Sequence, residues 1–381
     1  MASRKRILVA AEWFPPAFRA GGPVRSVANL VEVLGETHEV FVVAGAYDLG
    51  LNTPLEVPHN TWIEHPWGQV QYLTRDRWQS GLWHHLLVET LQPDFLYVNS
   101  LYARFFALMP VRTARKCPEM QVVLAPRGML GAGSLAIKPV KKRIFLQASR
   151  WLGWFDEVVW HATSETERAD IHAQFPTARV KVAPNLPSAP RAIAEPRRSD
   201  RWTLVAVGRL HRIKNLVFGV KALAKALRNA PSSRPIELRL IGPAEDADCL
   251  AEVLAAGAGV PGLTIRHEGA LPPDAVSKAL SAAHFLLMPS RHENFGHAIV
   301  EAWAHGCPVL LSDRTPWKDL EAAGAGWDWP LEEWAWTEGL TQALALDEAA
   351  WNRLSEASRA HFATAVRTPD SLEANRRIFS A

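Results

Sequence analysis

Cysteine is scarce in this chain of 381 residues. Its three cysteines, Cys117, Cys249 and Cys307, are far apart and odd in number, so the sequence predicts neither a disulfide framework nor a cysteine-based metal cluster. We interpret them as small buried hydrophobic side chains in a reducing compartment. Long apolar runs are also missing, because no stretch approaches the roughly 18 residues that a membrane-spanning helix needs.

The sequence also lacks a signal peptide and a strong net charge, and both absences restrict the possible functions. The basic first residues run directly into a predicted strand at Arg6, without the apolar segment of a signal peptide, and we therefore expect a cytoplasmic protein. The formal net charge is only +3, which gives no sign of a nucleic-acid partner. The length is sufficient for two domains, each with its own core.

Predicted strands alternate with predicted helices along most of the chain. Buried apolar runs end in glycine, proline or asparagine and are followed by apolar residues at helical spacing, a rhythm that predicts parallel, doubly wound α/β sheets. A proline-rich stretch with paired arginines interrupts this rhythm and indicates a domain boundary. We predict a Rossmann-like N-terminal domain over 1–184, a linker over 185–200, a second Rossmann-like domain over 201–365, and a terminal helix over 366–381.

The most informative stretch runs from Pro289 to Pro308. An apolar run ends in a Pro-Ser turn, a loop then carries Glu293, and Gly296 precedes a predicted helix that contains Glu301. The N–H groups and the dipole at a helix N-terminus favour an anion. Two carboxylates beside such a site suit a ligand that is part phosphate and part hydroxyl, such as a nucleotide sugar. Spacing alone leaves open that Glu293 is only a partner for the helix dipole.

A second turn between a strand and a helix has the sequence GRLHRIKN, from Gly208 to Asn215. Neither the dinucleotide-binding glycine pattern nor a P-loop occurs at this turn. Four basic residues nevertheless lie beside a predicted helix start. Surface salt bridges, which contribute little to stability, are the alternative interpretation.

Both stretches resemble motifs of family 4 of the retaining glycosyltransferases, which have the two-domain GT-B fold. The resemblance lies in ENFG-x4-E followed by AWAHGCPV, and in GRL-x3-KN. It implies two Rossmann-like, doubly wound domains facing a central cleft, with the terminal helix crossing back to the first domain. It also implies retaining transfer of a sugar from a nucleotide sugar, with no metal and no cofactor. In agreement, no D-x-D pair stands at a predicted strand end.

The resemblance also implies roles for individual residues. Glu293 would contact the donor sugar and Glu301 the ribose, while Arg209 and Lys214 would neutralise the departing diphosphate. The predicted catalytic residues are therefore Arg209, Lys214 and Glu293. The predicted donor-binding residues are Gly208, Asn215, Phe295, Gly296, His297 and Glu301.

In the N-terminal half, strand ends and a glycine loop predict the acceptor side. Many family members carry a sugar-contacting histidine where this chain has Arg127 and Gly128. The arginine is predicted to bind a donor phosphate or an acidic acceptor, and Gly128 to offer an N–H group. A surface charge for Arg127 and a structural role for His161 are the alternatives. The predicted acceptor-side or cleft residues are Gly21, Gly22, Asn99, Arg127, Gly128 and His161.

Two further features concern aromatic residues. The segment Thr315–Trp317 is bulkier than the glycine pair that the family often has at this place, and we expect it to reshape the pocket. Four tryptophans, at 327, 329, 334 and 336, crowd the predicted start of the helical tail. We interpret these as packing residues that anchor a terminal helix, with sugar stacking as the alternative.

Residues 138–154 combine basic and aromatic side chains at helical spacing. This suits an anionic membrane surface, although a solvated face is the alternative. We therefore predict a peripheral position on the inner face of the membrane, a glycan or lipid-linked acceptor, and a role in synthesis of a cell-surface polysaccharide (exopolysaccharide, capsule or lipopolysaccharide). A non-catalytic nucleotide-sugar-binding subunit and a GT-B-fold nucleotide-sugar epimerase remain the alternative functions.

Overall fold

The computed structural model describes residues 4–136, 138–188, 197 and 200–380. The chain divides into two compact units, after Leu186 and again after Thr368. The N-terminal unit includes the last helix, and the C-terminal unit lies between the two divisions. The predicted domain boundaries at 184 and 365 fall within a few residues of these positions. Much of the predicted linker lies outside the described residues.

The strands of the described chain are short and mostly buried. They are β1 (Arg6–Ala11), β2 (Glu39–Gly45), β3 (Trp62–His65), β4 (Gly68–Leu73), β5 (Phe95–Val98), β6 (Gln121–Leu124), β7 (Val159–Ala162), β8 (Arg179–Val182), β9 (Trp202–Val207), β10 (Ile236–Ile241), β11 (Leu263–Gly269), β12 (Phe285–Met288), β13 (Val309–Ser312) and β14 (Gly326–Trp329).

Helices connect most of these strands. They are α1 (Gly22–Gly35), α2 (Ser80–His84), α3 (Met109–Ala114), α4 (Ala132–Leu135), α5 (Pro139–Trp151), α6 (Glu165–Gln174), α7 (Leu216–Asn229), α8 (Ala247–Gly257), α9 (Pro273–Ala282), α10 (His297–Ala304), α11 (Glu333–Leu344), α12 (Glu348–His361) and α13 (Pro369–Arg377). Within the described ranges, no helix combines the length and the apolar character needed to cross a membrane.

In the N-terminal unit, the described strands form one sheet in the order β3-β4-β2-β1-β5-β6-β7-β8. Neighbouring strands are parallel except for the β3–β4 hairpin, which the sequence predicted near Val70. Leu8 packs into one core and Ile7 into another. Both faces of the sheet are therefore covered, and this explains why its strands are continuous apolar runs.

The last helix of the chain belongs to the N-terminal unit. The Lys181 ammonium on β8 donates to the carbonyl oxygens of Arg377, Ile378 and Ser380, each at 3.1 Å. Asn375 Nδ2 donates to Pro184 O at 2.9 Å. The Lys181 bonds tie the end of α13 and the residues after it to β8, and the Asn375 bond ties the helix to the segment that follows β8.

In the C-terminal unit, the described strands form a parallel sheet in the order β11-β10-β9-β12-β13-β14. The sequence interpretation missed β14 and placed Trp327 and Trp329 at the start of a helical tail. Both residues instead lie on this edge strand, where they stack at 6.0 Å between ring centroids. Trp329 also packs edge-on against the buried Trp336 of α11, at 5.3 Å, so these tryptophans pack within the unit.

Candidate functional site: a charged site between two helix starts in the C-terminal unit

The turn after β9 is held close to the neighbouring turn after β10. Gly208 has a φ of 142°, and a Cβ atom on Gly242 would lie only 1.9 Å from Gly208 O. Glycine is therefore required at 242 for this close approach. The chain then makes a short 3-10 turn, and Asn215, in the left-handed region with a φ of 55°, directly precedes α7.

This backbone path brings Lys214 back over Gly208 and towards the second motif. A Cβ atom on Gly208 would lie 3.2 Å from Lys214 Cε. The Lys214 ammonium donates to Glu293 Oε1, which also accepts from Ser290 Oγ at 2.8 Å. Both charged side chains are mostly buried, with exposed fractions of 22% and 12%. The two motifs that the sequence singled out therefore meet in one ion pair.

Ser290 is a site residue that sequence reasoning missed. It is completely buried, and Ser312 Oγ donates to its carbonyl oxygen. The only signal available was its position, directly after the Pro that follows β12. Because it donates to Glu293, it limits the orientations of that carboxylate.

The loop from Glu293 to α10 ends at a glycine that the conformation requires. Gly296 has a φ of 78°, and a Cβ atom there would lie 2.5 Å from Ile299 Cδ1. Helix α10 begins at the next residue, His297, four residues after Glu293. Glu301 is buried inside this helix. A helix start of this kind favours an anion.

Trp317 braces the same loop. Its Nε1 donates to Phe295 O at 2.6 Å, and its ring packs against Phe295 and Trp303 at 5.6 and 5.0 Å. His297 packs edge-on against Phe295 at 4.9 Å. The bulky segment Thr315–Trp317, noted as a departure from the family, thus supports the loop that carries Glu293.

Arg209 and Lys214, predicted as a pair, have different partners. The Arg209 side chain is half exposed and forms an ion pair with Glu245 at 2.8 Å. A further positive charge that sequence reasoning missed comes from Arg291, whose Nε lies 3.4 Å from Asn215 Oδ1 and whose backbone N–H donates to Ile213 O at 2.8 Å. Lysine and arginine side chains beside two helix starts can bind an anionic group. In the described part of the chain, no group of three His, Cys, Asp or Glu side chains is placed to hold a metal.

The acceptor-side residues of the N-terminal unit form a second cluster, centred on Arg127. Its Nε donates to Asn99 Oδ1 at 2.9 Å and its Nη2 to Tyr97 Oη at 2.6 Å, while Nη1 donates to Asn185 Oδ1. Asn99 Nδ2 in turn donates to Pro23 O at 3.2 Å, which links this cluster to the Gly21–Gly22 loop at the start of α1. Sequence reasoning did not predict Tyr97 or Asn185 here.

His161 is placed differently from the prediction that it faces a cleft. It is 1% exposed, its Nε2 contacts Ala183 O at 2.9 Å and its Nδ1 contacts Tyr97 Oη at 3.0 Å. Burial, and secondarily the charge of Arg127, lowers the pKa of His161 to about 3. Burial raises the pKa of Tyr97 to about 12. The imidazole is thus neutral, with both nitrogen atoms bound inside the unit, and its role is structural.

The N–H group of Gly128, predicted to contact a ligand, is also used internally. It donates to Glu167 Oε1. The other carboxylate oxygen, Oε2, accepts from Thr163 N at 2.7 Å and Thr163 Oγ1 at 2.6 Å. Glu167, on α6, is 1% exposed. This carboxylate therefore fixes the turn after β6, and a ligand contact by the N–H group of Gly128 stays a prediction.

Two family models match the chain. The model described as "Glycosyl transferase 4-like domain" matches residues 21–186, and the one described as "Family 4 Glycosyltransferase in conflict systems" matches residues 159–322. Two curated relatives are also similar, both named D-inositol 3-phosphate glycosyltransferase. The protein of Nocardia farcinica is 28% identical over 76% of this chain and 56% of its own length. The protein of Corynebacterium kroppenstedtii is 27% identical over 68% of this chain and 52% of its own length. The chain thus spans just over half the length of these relatives.

Solved structures share the fold over nearly the whole chain. Sucrose-phosphate synthase from Thermosynechococcus elongatus has a TM-score of 0.68 at 17% identity, covering 99% of this chain and 98% of its own. Anabaena HepE in complex with UDP and glucose has a TM-score of 0.68 at 15% sequence identity, and the match covers 98% of each chain. A trehalose-phosphate synthase from Burkholderia xenovorans in complex with glucose-6-phosphate has a TM-score of 0.70 at 13% sequence identity, and this match also covers 98% of each chain. The fold is GT-B, with two parallel-sheet α/β domains.

Proposed function

Because this chain belongs to family 4 of the glycosyltransferases, we propose that it transfers a sugar from a nucleotide-sugar donor to a glycan or lipid-linked acceptor, with retention at the anomeric carbon. The transfer needs no metal and no cofactor in this proposal. We assign its product to synthesis of a cell-surface polysaccharide.

The contact between Lys214 and Glu293 carries the proposal. A donor diphosphate at the starts of α7 and α10 would meet the Lys214 ammonium and the positive end of each helix dipole. The Glu293 carboxylate has room for further hydrogen bonds, because its two oxygens offer about four lone-pair sites. It would accept from sugar hydroxyl groups while Ser290 holds it in place.

The difficult step is the departure of the diphosphate. Its developing negative charge is stabilised by groups that are already positioned, so little reorganisation accompanies the reaction. Lys214 is one such group. Arg209 would turn to the diphosphate from Glu245, and leaving this partner costs little because an ion pair with a half-exposed arginine contributes at most about 1 kcal/mol.

The named ligands of similar structures guide the choice of donor and acceptor. UDP and UDP-2-fluoro glucose appear in two of them, so we propose a uridine diphosphate sugar as the first donor to test. A phosphorylated small acceptor is the second candidate, because both curated relatives are named for D-inositol 3-phosphate.

A thermal-shift panel of nucleoside diphosphates and nucleotide sugars tests the donor site. A ligand at 100 times its Kd stabilises the folded state by about 2.7 kcal/mol, so one base should raise the melting temperature clearly. We expect this response to disappear in Arg209→Ala/Lys214→Ala. It should persist in Lys225→Ala, which removes an exposed lysine from an ion pair with Glu333.

The measurement then separates the alternatives. Donor binding followed by acceptor-dependent release of the nucleoside diphosphate supports the transferase. Binding without release would indicate a non-catalytic subunit, and conversion of the nucleotide sugar to its epimer without any acceptor would indicate an epimerase. No response from any nucleotide would contradict the donor site itself.

A further inference from the structure

Exposed large apolar side chains are concentrated on one helix of the N-terminal unit. Of the eight exposed large hydrophobic residues in the described part of the chain, four lie on or next to α5. Trp151 has 86% of its surface exposed, Val140 68% and Ile144 61%, and Leu152 follows directly. Single exposed apolar residues are ordinary, but a contiguous group marks an interaction surface.

These side chains share one face of α5. At about 100° per residue, Val140, Ile144 and Trp151 point within roughly 40° of one another. Leu146 and Ser149, which are buried, point in the opposite direction. An amphipathic helix normally turns its apolar face to the core. Here a full apolar stripe faces outwards.

The inner face of α5 is firmly attached to its unit. Phe145 packs edge-on against Tyr102 at 5.1 Å and against Trp154 at 5.9 Å. The Lys142 ammonium donates to Ser134 O at 2.6 Å and lies 5.4 Å from the centre of the Tyr102 ring. These contacts fix the rotation of the helix, so the outward direction of the stripe is a property of the fold.

Basic residues border the stripe on both sides. Arg143 and Arg150 flank it on one side and Lys141 on the other, and all three are exposed. The sequence from 138 to 155 contains no aspartate or glutamate. We call the surface formed by Val140, Lys141, Arg143, Ile144, Arg150, Trp151 and Leu152 the α5 surface.

We propose that the α5 surface docks onto an anionic lipid bilayer, with α5 lying in the interface plane. The apolar stripe enters the boundary between headgroups and acyl chains, and the flanking cations contact lipid phosphates. Trp151 suits this boundary because its ring is apolar and its Nε1 is polar. A second copy of the chain fits poorly, because two α5 surfaces would bring like charges together. This inference goes beyond sugar transfer and does not depend on it.

Vesicle flotation tests the proposal. The full chain should float with vesicles of phosphatidylcholine and phosphatidylglycerol at low salt, less at high salt, and much less with phosphatidylcholine alone. Lys141→Gln/Arg143→Gln/Arg150→Gln should lower affinity for anionic vesicles about 100-fold, since each cation near the surface contributes about fivefold. Val140→Ser/Ile144→Ser/Trp151→Ser should remove the binding that persists at high salt.

The controls distinguish membrane docking from nonspecific adsorption to vesicles and from the proposed sugar transfer. Trp334→Ser removes an exposed tryptophan, 64% exposed, from α11 of the C-terminal unit and should leave flotation unchanged. Both α5 variants should keep the melting temperature and the nucleotide response of the wild type, and Lys214→Ala should keep flotation.

Several results would overturn the proposal. These are the absence of flotation with anionic vesicles at low salt, equal flotation of wild type and both α5 variants, and an equal loss in Trp334→Ser. A wild-type dimer in the absence of lipid that both α5 variants convert to monomer would assign the surface to self-association instead.

Discussion

The polar side chains at the strand ends have different partners in the two units. In the N-terminal unit, Arg127, Tyr97 and His161 form a chain of hydrogen bonds that ends on the backbone carbonyl of Ala183. In the C-terminal unit, Lys214 and Glu293 form an ion pair with part of each side chain in contact with solvent. Both clusters lie where parallel strands end, and the second lies beside the starts of α7 and α10.

The difference shows what burial requires. A buried polar group without a partner costs about 1–3 kcal/mol, so the N-terminal cluster has to satisfy itself and thereby stabilises its unit. The Lys214–Glu293 pair keeps 22% and 12% of its two side chains in contact with solvent, so a polar ligand can reach it. The C-terminal cluster is therefore better suited to reversible binding of a ligand.

Removing the lysine of the ion pair should have the largest effect. Lys214→Ala should lower the transfer rate on the order of 100-fold, because a charge-assisted hydrogen bond contributes about 1.5–3 kcal/mol and 1.36 kcal/mol is a factor of ten in rate. The free energy of unfolding should fall by about 1–3 kcal/mol, because the mostly buried Glu293 carboxylate loses its cation. Steady-state kinetics and urea unfolding measure both, with Lys225→Ala as the matched control. A normal rate in Lys214→Ala would remove this residue from the proposed mechanism.

The corresponding change in the N-terminal unit should act on stability. Arg127→Ala should lower the free energy of unfolding by about 2–3 kcal/mol, since Tyr97, Asn99 and Asn185 lose their donor. Arg168→Ala, which removes an exposed arginine from a pair with Glu165, should change it by less than about 0.5 kcal/mol. Nucleotide binding should be retained in both. A stable Arg127→Ala protein with impaired activity would favour the ligand-binding role that the sequence suggested.

Acid should weaken both units, because each contains a histidine whose pKa is lowered by burial. Burial lowers the pKa of His284 to about 4, and its Nδ1 accepts from the backbone N–H of Thr203 at 3.0 Å. His161 has a pKa of about 3. Both values lie below the ordinary 6.5, so the unfolded chain binds more protons and stability falls as the pH drops below about 6.5. Each histidine should cost about 2 kcal/mol at pH 5.

Urea unfolding at pH 7 and pH 5 measures this loss. His161→Gln should remove the part of the loss in unfolding free energy that is due to His161. Glutamine can donate and accept hydrogen bonds but does not take up a proton in this pH range. The loss due to His284 should persist in that variant. An identical pH dependence in wild type and His161→Gln would mean that His161 does not titrate as its burial predicts.

The smallest effect should come from the tryptophan that braces the Glu293 loop. Trp317→Phe keeps an aromatic ring beside Trp303 but removes the hydrogen bond to Phe295 O. It should weaken donor binding by about 1 kcal/mol, roughly fivefold, as measured by titration with the donor. Trp334→Phe, a change at an exposed tryptophan, is the matched control. Equal affinities in both variants would show that the loop does not need this brace.

Much of the fold could be predicted from the sequence, because local patterns determine it. Buried apolar runs and helical periodicity predicted the parallel sheets, and the hairpin near Val70 was also predicted. The strand β14 was missed because Gly326–Trp329, with the sequence GWDW, contains no continuous apolar run and becomes a strand by pairing with β13. An edge strand of this length depends on its partner more than on its own propensity.

The candidate site was predicted in part. The stretches around Gly208 and Gly296 were singled out from glycines and helix starts, and the structure finds both glycines in the left-handed region of φ. The roles of these residues towards a ligand stay predictions. His161 and Gly128 both have partners inside the unit, which sequence reasoning did not predict, because a strand-end position does not reveal whether a side chain or N–H group has a buried partner.

The sequence by itself determined where the turns, helix starts and charged residues lie, because these depend on a few neighbouring residues. Only the tertiary structure decided which of them meet. Lys214 and Glu293 are 79 residues apart, and Arg127 and Asn185 are 58 apart, so the folded sheets bring them together. The same holds for α5, whose apolar stripe faces outwards because Phe145 and Leu146 hold the opposite face against the unit.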